Sequence, residues 1–310
     1  MTQPIVALQM DPLCQIKVET DTTFALGLEA QNQGYKLFAY TPDCLSYAEG
    51  KIMARGSWVT FKDQVGDFYV LEGEALLNLV EARFVLMRQD PPFHMAYIAA
   101  THLLDLLPST TRVINNPTGV RNSPEKLLVT HFPDLMPPTL LSSDPSLIAD
   151  FIRAQGAVIL KPIFDFGGNG ILSLAVGDPN ITGILEMHQK LYGTPPIFQK
   201  FLKEVDQGDK RIILLDGKPA GIFKRIPPKG DVRSNMRVGG QAQACDFSSR
   251  DLEICARIGP TLKERGLYLA GIDVIGDYLT EINVTSPTGL RTLKHLYQLD
   301  LAKDFWKGIL

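Results

Sequence analysis

Short apolar runs separated by polar, capped segments set the rhythm of this chain. Residues 4–9 (PIVALQ) form one such run, and continuous apolar character predicts a buried strand. Asp21 or Thr22 can cap a helix over Thr22–Gln33, and Gly34 can end it. Tyr35–Tyr40 is strand-like again. A β–α–β opening predicts a parallel sheet with loops at the carboxyl ends of its strands. Residues 51–70 mix charged and apolar positions in the manner of a β-hairpin. Phe84–Met87 is a short apolar strand, a helix is predicted over Phe93–Leu107, and a strand follows at Arg112–Ile114. A first domain then closes near residue 120.

The pattern changes in residues 116–136, which read as capped helical turns. Ser123-Pro124-Glu125 marks a helix start with Pro at the first helical position and Lys126 in the first turn. After a strand at Thr139–Leu141 and a helix at 146–155, Ala157–Ile163 (AVILKPI) is a strand that carries Lys161. Burying a lysine in so apolar a run is costly unless it meets an anion. Phe164–Gly170 (FDFGGNG) follows, with three glycines in four positions before the strand Ile171–Val176. Backbone N–H groups in such a loop can approach phosphates closely. A flexible turn is the bland alternative, and neither G-x-x-x-x-G-K-[ST] nor G-x-G-x-x-G occurs. Strands are predicted at Gln199–Leu202, Ile212–Leu215 and Ala220–Ile226, with Asp216-Gly217 as a hairpin turn. Pro227–Gln241 has the composition of a mobile loop, and its length suits a lid. A helix over Ser249–Gly266 and a final helix at 292–307 complete the elements.

Chemistry concentrates in Gly271–Gly289, GIDVIGDYLTEINVTSPTG. Two β-prone runs flank the turn residues Gly276 and Asp277. A three-residue loop would set Asp273 opposite Glu281, with Asn283 on the same face. Hard oxygen donors of this kind suit Mg²⁺, which completes its shell with phosphate oxygens and water. An ordinary hairpin with a polar outer face is the alternative. Asp11 and Arg88 each follow a strand, where open α/β sheets bind ligands. A turn before Pro12 and a surface pair with Asp90 are the simpler readings of those two.

Composition narrows the class. The 310 residues, 45% hydrophobic and 21% charged, suit a globular protein of two or three domains. Net charge is −3, but residues 200–237 hold 10 of the 31 Lys and Arg against five acids. A cationic block in a mildly acidic chain favours an anionic small ligand over nucleic acid, since the total charge is negative. Four cysteines without CxxC spacing, no apolar run of membrane length and no signal peptide predict a cytoplasmic protein with reduced thiols.

Several stretches together resemble the ATP-grasp ligases, and within them the bacterial-type glutathione synthetase family. They are MDP at 10–12, LMRQDPPF at 86–93, NSPEKL at 122–127, ILKP at 159–162 with its glycine loop, GDKR at 208–211, RIP at 225–227, GPTLKERGL at 259–267 and the 271–289 stretch. The resemblance implies an ATP-grasp fold with a Rossmann-like α/β domain over 1–120. A central lobe over 121–202 and a C-terminal lobe over 203–310 would clasp ATP. It implies that Lys126, Lys161, Gly167, Gly168, Gln199 and Asn283 contact ATP. Asp273, Glu281 and Asn283 would hold Mg²⁺ or Mn²⁺, two ions with ATP. Arg211 and Arg225 would stabilise charge, and Asp11, Arg88, Arg233, Asn235, Ser286 and Thr288 would bind substrate. The implied reaction joins γ-glutamylcysteine and glycine through an acyl phosphate, in a homo-oligomer. Asp273→Asn is expected to abolish turnover and leave the fold intact.

Three departures from the family pattern touch substrate recognition: Gln89 where Lys is usual, Gln241-Ala242-Gln243 after Gly239-Gly240, and the bulky Phe164-Asp165-Phe166. A related ligase with another acceptor and a non-catalytic ATP-binding protein on this scaffold are the alternatives.

Overall fold

The computed structural model describes residues 3–230, 233–236 and 239–310. Arg237 of the basic block and residues 231, 232 and 238 of the 227–241 loop lie outside the described residues.

The β–α–β opening is present as β1 (Ile5–Gln9), α1 (Thr22–Asn32) and β2 (Lys36–Tyr40). Asp21 caps α1 by accepting from Phe24 N–H at 2.7 Å, a contact that stabilises a helix by about 1 kcal/mol. β3 (Leu45–Ala48), β4 (Lys51–Phe61) and β5 (Tyr69–Asn78) form an antiparallel extension. β6 (Ala82–Met87), α2 (Met95–Leu104) and β7 (Arg112–Ile114) complete the unit. Its sheet runs β3–β4–β2–β1–β6–β7, with β5 on β4. β1, β2, β6 and β7 pair in parallel, so their carboxyl ends share one edge.

Two short helices, α3 (Pro117–Arg121) and α4 (Glu125–Leu128), lead out of this unit. Pro124 sits at the N-cap of α4, one residue earlier than its predicted place, and Glu125 opens the helix. A four-stranded antiparallel sheet follows, built from β8 (Thr139–Leu141), β9 (Ala157–Lys161), β10 (Leu172–Ala175) and β11 (Ile197–Lys200) in the order β10–β9–β11–β8. α5 (Pro145–Gln155) and α6 (Ile181–Tyr192) belong to it. The sequence-based elements lack α6. Its inner positions Ile181, Ile184, Leu185 and His188 do recur at helical spacing, but Met187 and Leu191 face solvent and blur the polar side.

The third sheet runs β14–β13–β12–β15–β16. It comprises β12 (Asp209–Leu215), β13 (Lys218–Ile226), β14 (Gln241–Gln243), β15 (Leu269–Ile275) and β16 (Tyr278–Asn283), with α7 (Ser249–Glu264) between β14 and β15. The expected final helix is two helices, α8 (Leu290–Tyr297) and α9 (Leu301–Ile309). Gln298 turns left-handed (φ 59°) and ends the first. α9 returns to the opening unit: Trp306 is fully buried, stacks on Tyr35 and donates from Nε1 to Leu26 O at 2.9 Å. No helix among the described residues is long and apolar enough to cross a membrane.

Candidate nucleotide and metal site

The hairpin at 271–289 forms, and by a different route from the one its sequence suggests. The turn holds two residues, since Ile275 faces Tyr278 and Val274 faces Leu279. A bulge then inserts Thr280, whose hydroxyl donates to Asp273 O at 3.1 Å, and this brings Asp273 opposite Glu281. Asn283 stands two residues on, with Nδ2 3.4 Å from Asp273 Oδ2. The neighbouring strand places Arg211 opposite Asp273. Arg211, Asp273 and Glu281 thus form a row across β12, β15 and β16. One strand further, Arg225 pairs in register with Asp209.

These charges are bonded to one another. Arg211 Nε and Nη2 donate to the two oxygens of Asp273 at 2.6 and 3.2 Å. Arg225 Nη2 donates to Asp209 Oδ2 and lies 3.0 Å from Asp273 Oδ1. Ser234, from the 227–241 loop, donates to Asp209 Oδ2 at 2.6 Å. Burial alone would push the Asp273 carboxyl up, but the Arg211 and Arg225 guanidiniums outweigh it and hold it well below the usual range. Asp209 goes the other way: burial, offset only in part by Arg225, pushes it up to about 6.

Asp209 therefore holds a proton in the folded chain at pH values where the unfolded chain has lost it. Its contribution to stability is complete near pH 4 and is lost as pH rises through about 6. Wild-type unfolding free energy should fall by about 1–3 kcal/mol from this group between about pH 4 and about pH 7, and Asp209→Asn should flatten that fall. Urea titrations of both proteins across this range measure it; equal slopes would refute the assignment.

The opposite wall of the cleft comes from the second sheet and α4. Lys161 Nζ donates to Gln199 Oε1 at 2.8 Å, and Gln199 Nε2 donates to Thr139 Oγ1 at 3.0 Å. Burial lowers the Lys161 pKa, with Lys126 adding to the effect and Glu281 opposing it. Lys126 pairs with Glu281 at 3.3 Å and donates to Asp165 O. Gly167, Gly168 and Gly170 all take positive φ (68°, 88° and 66°), a region that glycine enters without steric cost. A Cβ on Gly168 would meet Arg233 Cδ at 3.4 Å, so the glycine loop and the 227–241 loop approach each other closely.

Lys126, Lys161, Gly167, Gly168, Gln199, Arg225, Arg233, Asn235, Asp273, Glu281 and Asn283 line one cleft. Arg211 stands just behind it. Asp11, Arg88, Ser286 and Thr288 are brought together elsewhere, where the first sheet meets the loop after β16. Asp11 Oδ2 accepts from Asp90 N–H at 2.8 Å, and Ser286 donates to Asp90 Oδ1. Arg88 is buried and donates to Thr23 Oγ1 (3.2 Å) and Pro287 O (2.9 Å). Thr288 O accepts from Arg211 Nη1 at 3.3 Å, which joins this second cluster to the cleft. Gln89 is buried against Gln9, which donates to it at 2.8 Å.

Glu125 and Asp209 are the contributors that the sequence alone does not single out. Glu125 Oε1 accepts from Val284 N–H, Thr285 N–H and the Thr285 hydroxyl at 2.8, 3.0 and 2.8 Å, so α4 grips β16 just past Asn283. Burial and the nearby Glu281 charge push its carboxyl up. For Asp209 a signal existed: two residues before Arg211 on a strand puts both on one face.

The donor set fits a hard divalent ion shared with phosphate. All its donors are oxygens of Asp273, Glu281 and Asn283, and both Asp273 oxygens are already engaged by guanidiniums. No group of three or more His, Cys, Asp and Glu able to hold an ion alone occurs among the described residues. Phosphate oxygens are needed to complete the shell.

Models of the prokaryotic glutathione synthetase N-terminal domain and ATP-grasp domain match residues 5–121 and 125–298. The chain belongs to this family. It is 52% identical over 304 residues to the glutathione synthetase of Brucella melitensis biotype 1, covering 98% of this chain and 97% of the relative. To that of Coxiella burnetii it is 38% identical over 302 residues, covering 97% and 94%. In fold it is similar to the crystal structure of D-cycloserine synthetase DcsG (TM-score 0.67, 13% identity, 99% and 100% covered). It is also similar in fold to D-alanyl-alanine synthetase A from Vibrio cholerae (TM-score 0.62, 14% identity, 99% and 98% covered). This chain thus shares its fold with synthetases of other names.

Proposed function

We propose that this protein joins γ-glutamylcysteine to glycine with ATP, giving glutathione, ADP and phosphate. The observation that carries the reading is the convergence of Lys126, Lys161, Arg225, Asp273, Glu281 and Asn283 on one cleft under a glycine-rich loop. Lys126 and Lys161 suit contact with nucleotide phosphates, and the Gly167–Gly168 backbone can fold over them. Gln199, bonded to Lys161, lies on the adenine side. Asp273, Glu281 and Asn283 would hold Mg²⁺ or Mn²⁺, two ions with ATP, whose charge neutralises and orients the β- and γ-phosphates.

The cysteinyl carboxylate of the dipeptide attacks the γ-phosphorus in line, and ADP leaves. The glycine amine adds to the resulting acyl phosphate, and the tetrahedral intermediate expels phosphate. Arg211 and Arg225 supply positive charge where the phosphoryl oxygens and the oxyanion develop negative charge. Arg233 and Asn235, on the 227–241 loop, would shield the acyl phosphate from water when that loop closes. Asp11, Arg88, Ser286 and Thr288 are assigned to the dipeptide side. Because Arg88 is buried in bonds to Thr23 and Pro287, it would act by shaping that surface. Residues 1–120 would then form the substrate domain, with lobes over 121–202 and 203–310. The Gln89 departure is compatible with the family's substrate, since Gln89 is turned into the first domain against Gln9.

Cytoplasmic action suits the four unpaired cysteines. A homo-oligomer without nucleic-acid or membrane partners completes the reading. ADP release should require Mg²⁺, ATP, γ-glutamylcysteine and glycine together, with a glutathione mass in the product. Release with another amine or peptide but not with this pair would move the substrate, and ATP binding without turnover would favour a binding protein.

A further inference from the structure

Phe164 opens the glycine loop, yet it does not line the cleft, whereas Asp165, Phe166, Gly167 and Gly168 do. Its contacts lead away from the nucleotide side. The Phe164 ring stacks on Phe93, with centroids 6.1 Å apart and planes at 23°. Phe93 N–H donates to Phe164 O at 3.2 Å, so the join is made by backbone as well as ring. Phe93 in turn packs on Tyr97 of α2, at 5.0 Å between centroids. It follows Asp90 by three residues, with Pro91 and Pro92 restricting the backbone between them. Asp90 is the residue that binds both Asp11 and Ser286.

Further anchors of the loop are polar and lie on its own side. Lys126 donates to Asp165 O. The Asp165 carboxylate accepts from Phe166 N–H at 2.8 Å, from Asn169 Nδ2 at 3.4 Å and from the Tyr192 hydroxyl at 3.3 Å. A glycine-rich segment loses much conformational freedom on ordering. The Phe93–Phe164 contact ties the start of that segment to the domain that carries Asp11, Arg88 and Asp90.

We propose that the Phe93–Phe164 contact couples the two sites, so that dipeptide held at the Asp11–Arg88–Asp90 surface steadies the glycine loop and tightens nucleotide binding. The inference rests on the assignment of that surface to the dipeptide. Linkage makes it reciprocal, and nucleotide strengthens dipeptide binding by the same factor. The consequence is that the loop settles over the phosphates most firmly when the carboxylate to be phosphorylated is present.

The test is calorimetric titration of a non-hydrolysable ATP analogue with Mg²⁺, with and without saturating γ-glutamylcysteine. The wild-type protein should bind the analogue at least about fivefold more tightly with the dipeptide present. Phe164→Ala should keep its affinity without dipeptide within about twofold and lose most of the enhancement. Phe164 is 36% exposed, so the variant should fold. Phe164→Leu, which keeps apolar bulk, should retain part of the effect. Phe93→Leu should reduce it too, and combining Phe93→Leu with Phe164→Ala should cost no more than the greater single loss. Full enhancement in Phe164→Ala, or none in a wild-type protein that binds both ligands, would overturn the coupling. A wild-type protein that ligates the pair but behaves in this way would lose only the coupling. One that neither binds nor ligates the dipeptide would overturn the functional reading as well.

Discussion

Asp273→Asn is expected to reduce ligation by at least about 10³-fold and to destabilise the fold by about 3–5 kcal/mol at neutral pH. The first loss follows from its proposed place among the oxygen donors and from its bonds to both Arg211 and Arg225. The second is a change from what the sequence suggests. Asp273 is 5% exposed and is the shared acceptor for Arg211 and Arg225. An amide cannot neutralise them, and two buried guanidiniums would be left with Asp209 alone. Because the Asp273 carboxyl is held below its ordinary range, its contribution to stability is present above the unfolded pKa and is lost as pH falls through the folded one. Glu281→Gln separates the two effects. Glu281 is more exposed than Asp273 and pairs with Lys126, which keeps its bond to Asp165 O, so its loss should lower activity strongly and stability by less than Asp273→Asn does. ADP formation and urea unfolding of both variants measure this; near-normal turnover in Asp273→Asn would sink the assignment.

Arg225→Lys should lower kcat by about 10²–10³-fold with a much smaller change in the KM for ATP. Arg225 reaches both Asp209 and Asp273 from a buried position, and those two carboxylates raise its pKa although burial opposes them. Its Nε is buried with no hydrogen-bond partner among the described residues. A lysine keeps the charge but offers a point where the guanidinium offers a fork. It can satisfy one carboxylate or face a phosphoryl oxygen, and charge stabilisation that grows in the transition state is what the change removes. Steady-state kinetics with ATP varied at saturating dipeptide and glycine is the measurement. An unchanged kcat would place Arg225 in a structural pair only.

Legibility of the chain followed the range of the interaction. The Asp273–Glu281–Asn283 face could be read because strand alternation is local. Its register rests on a bulge at Thr280 that no turn rule predicts, which a three-residue loop happens to mimic. The β–α–β opening was legible from caps and apolar runs, and Lys161 from its cost in an apolar strand. Glu125 was harder, because an acid bonded to a distant loop leaves no periodic trace, and Asp209 showed only through its place two residues before Arg211 on one strand. Arg88 and Ser286 were grouped with the substrate, and they do meet in space, but their bonds to Pro287 and Asp90 come from pairing residues almost 200 apart in the chain. α6 escaped because two exposed apolar residues hide its polar face.

The most direct test of the central claim uses γ-glutamylcysteine with ¹⁸O in its cysteinyl carboxylate, incubated with Mg²⁺, ATP and glycine. Phosphorylation of that carboxylate predicts that each phosphate released with glutathione carries one ¹⁸O from the dipeptide. Glutathione formed with unlabelled phosphate would contradict an acyl phosphate, and phosphate released without glutathione would contradict ligation.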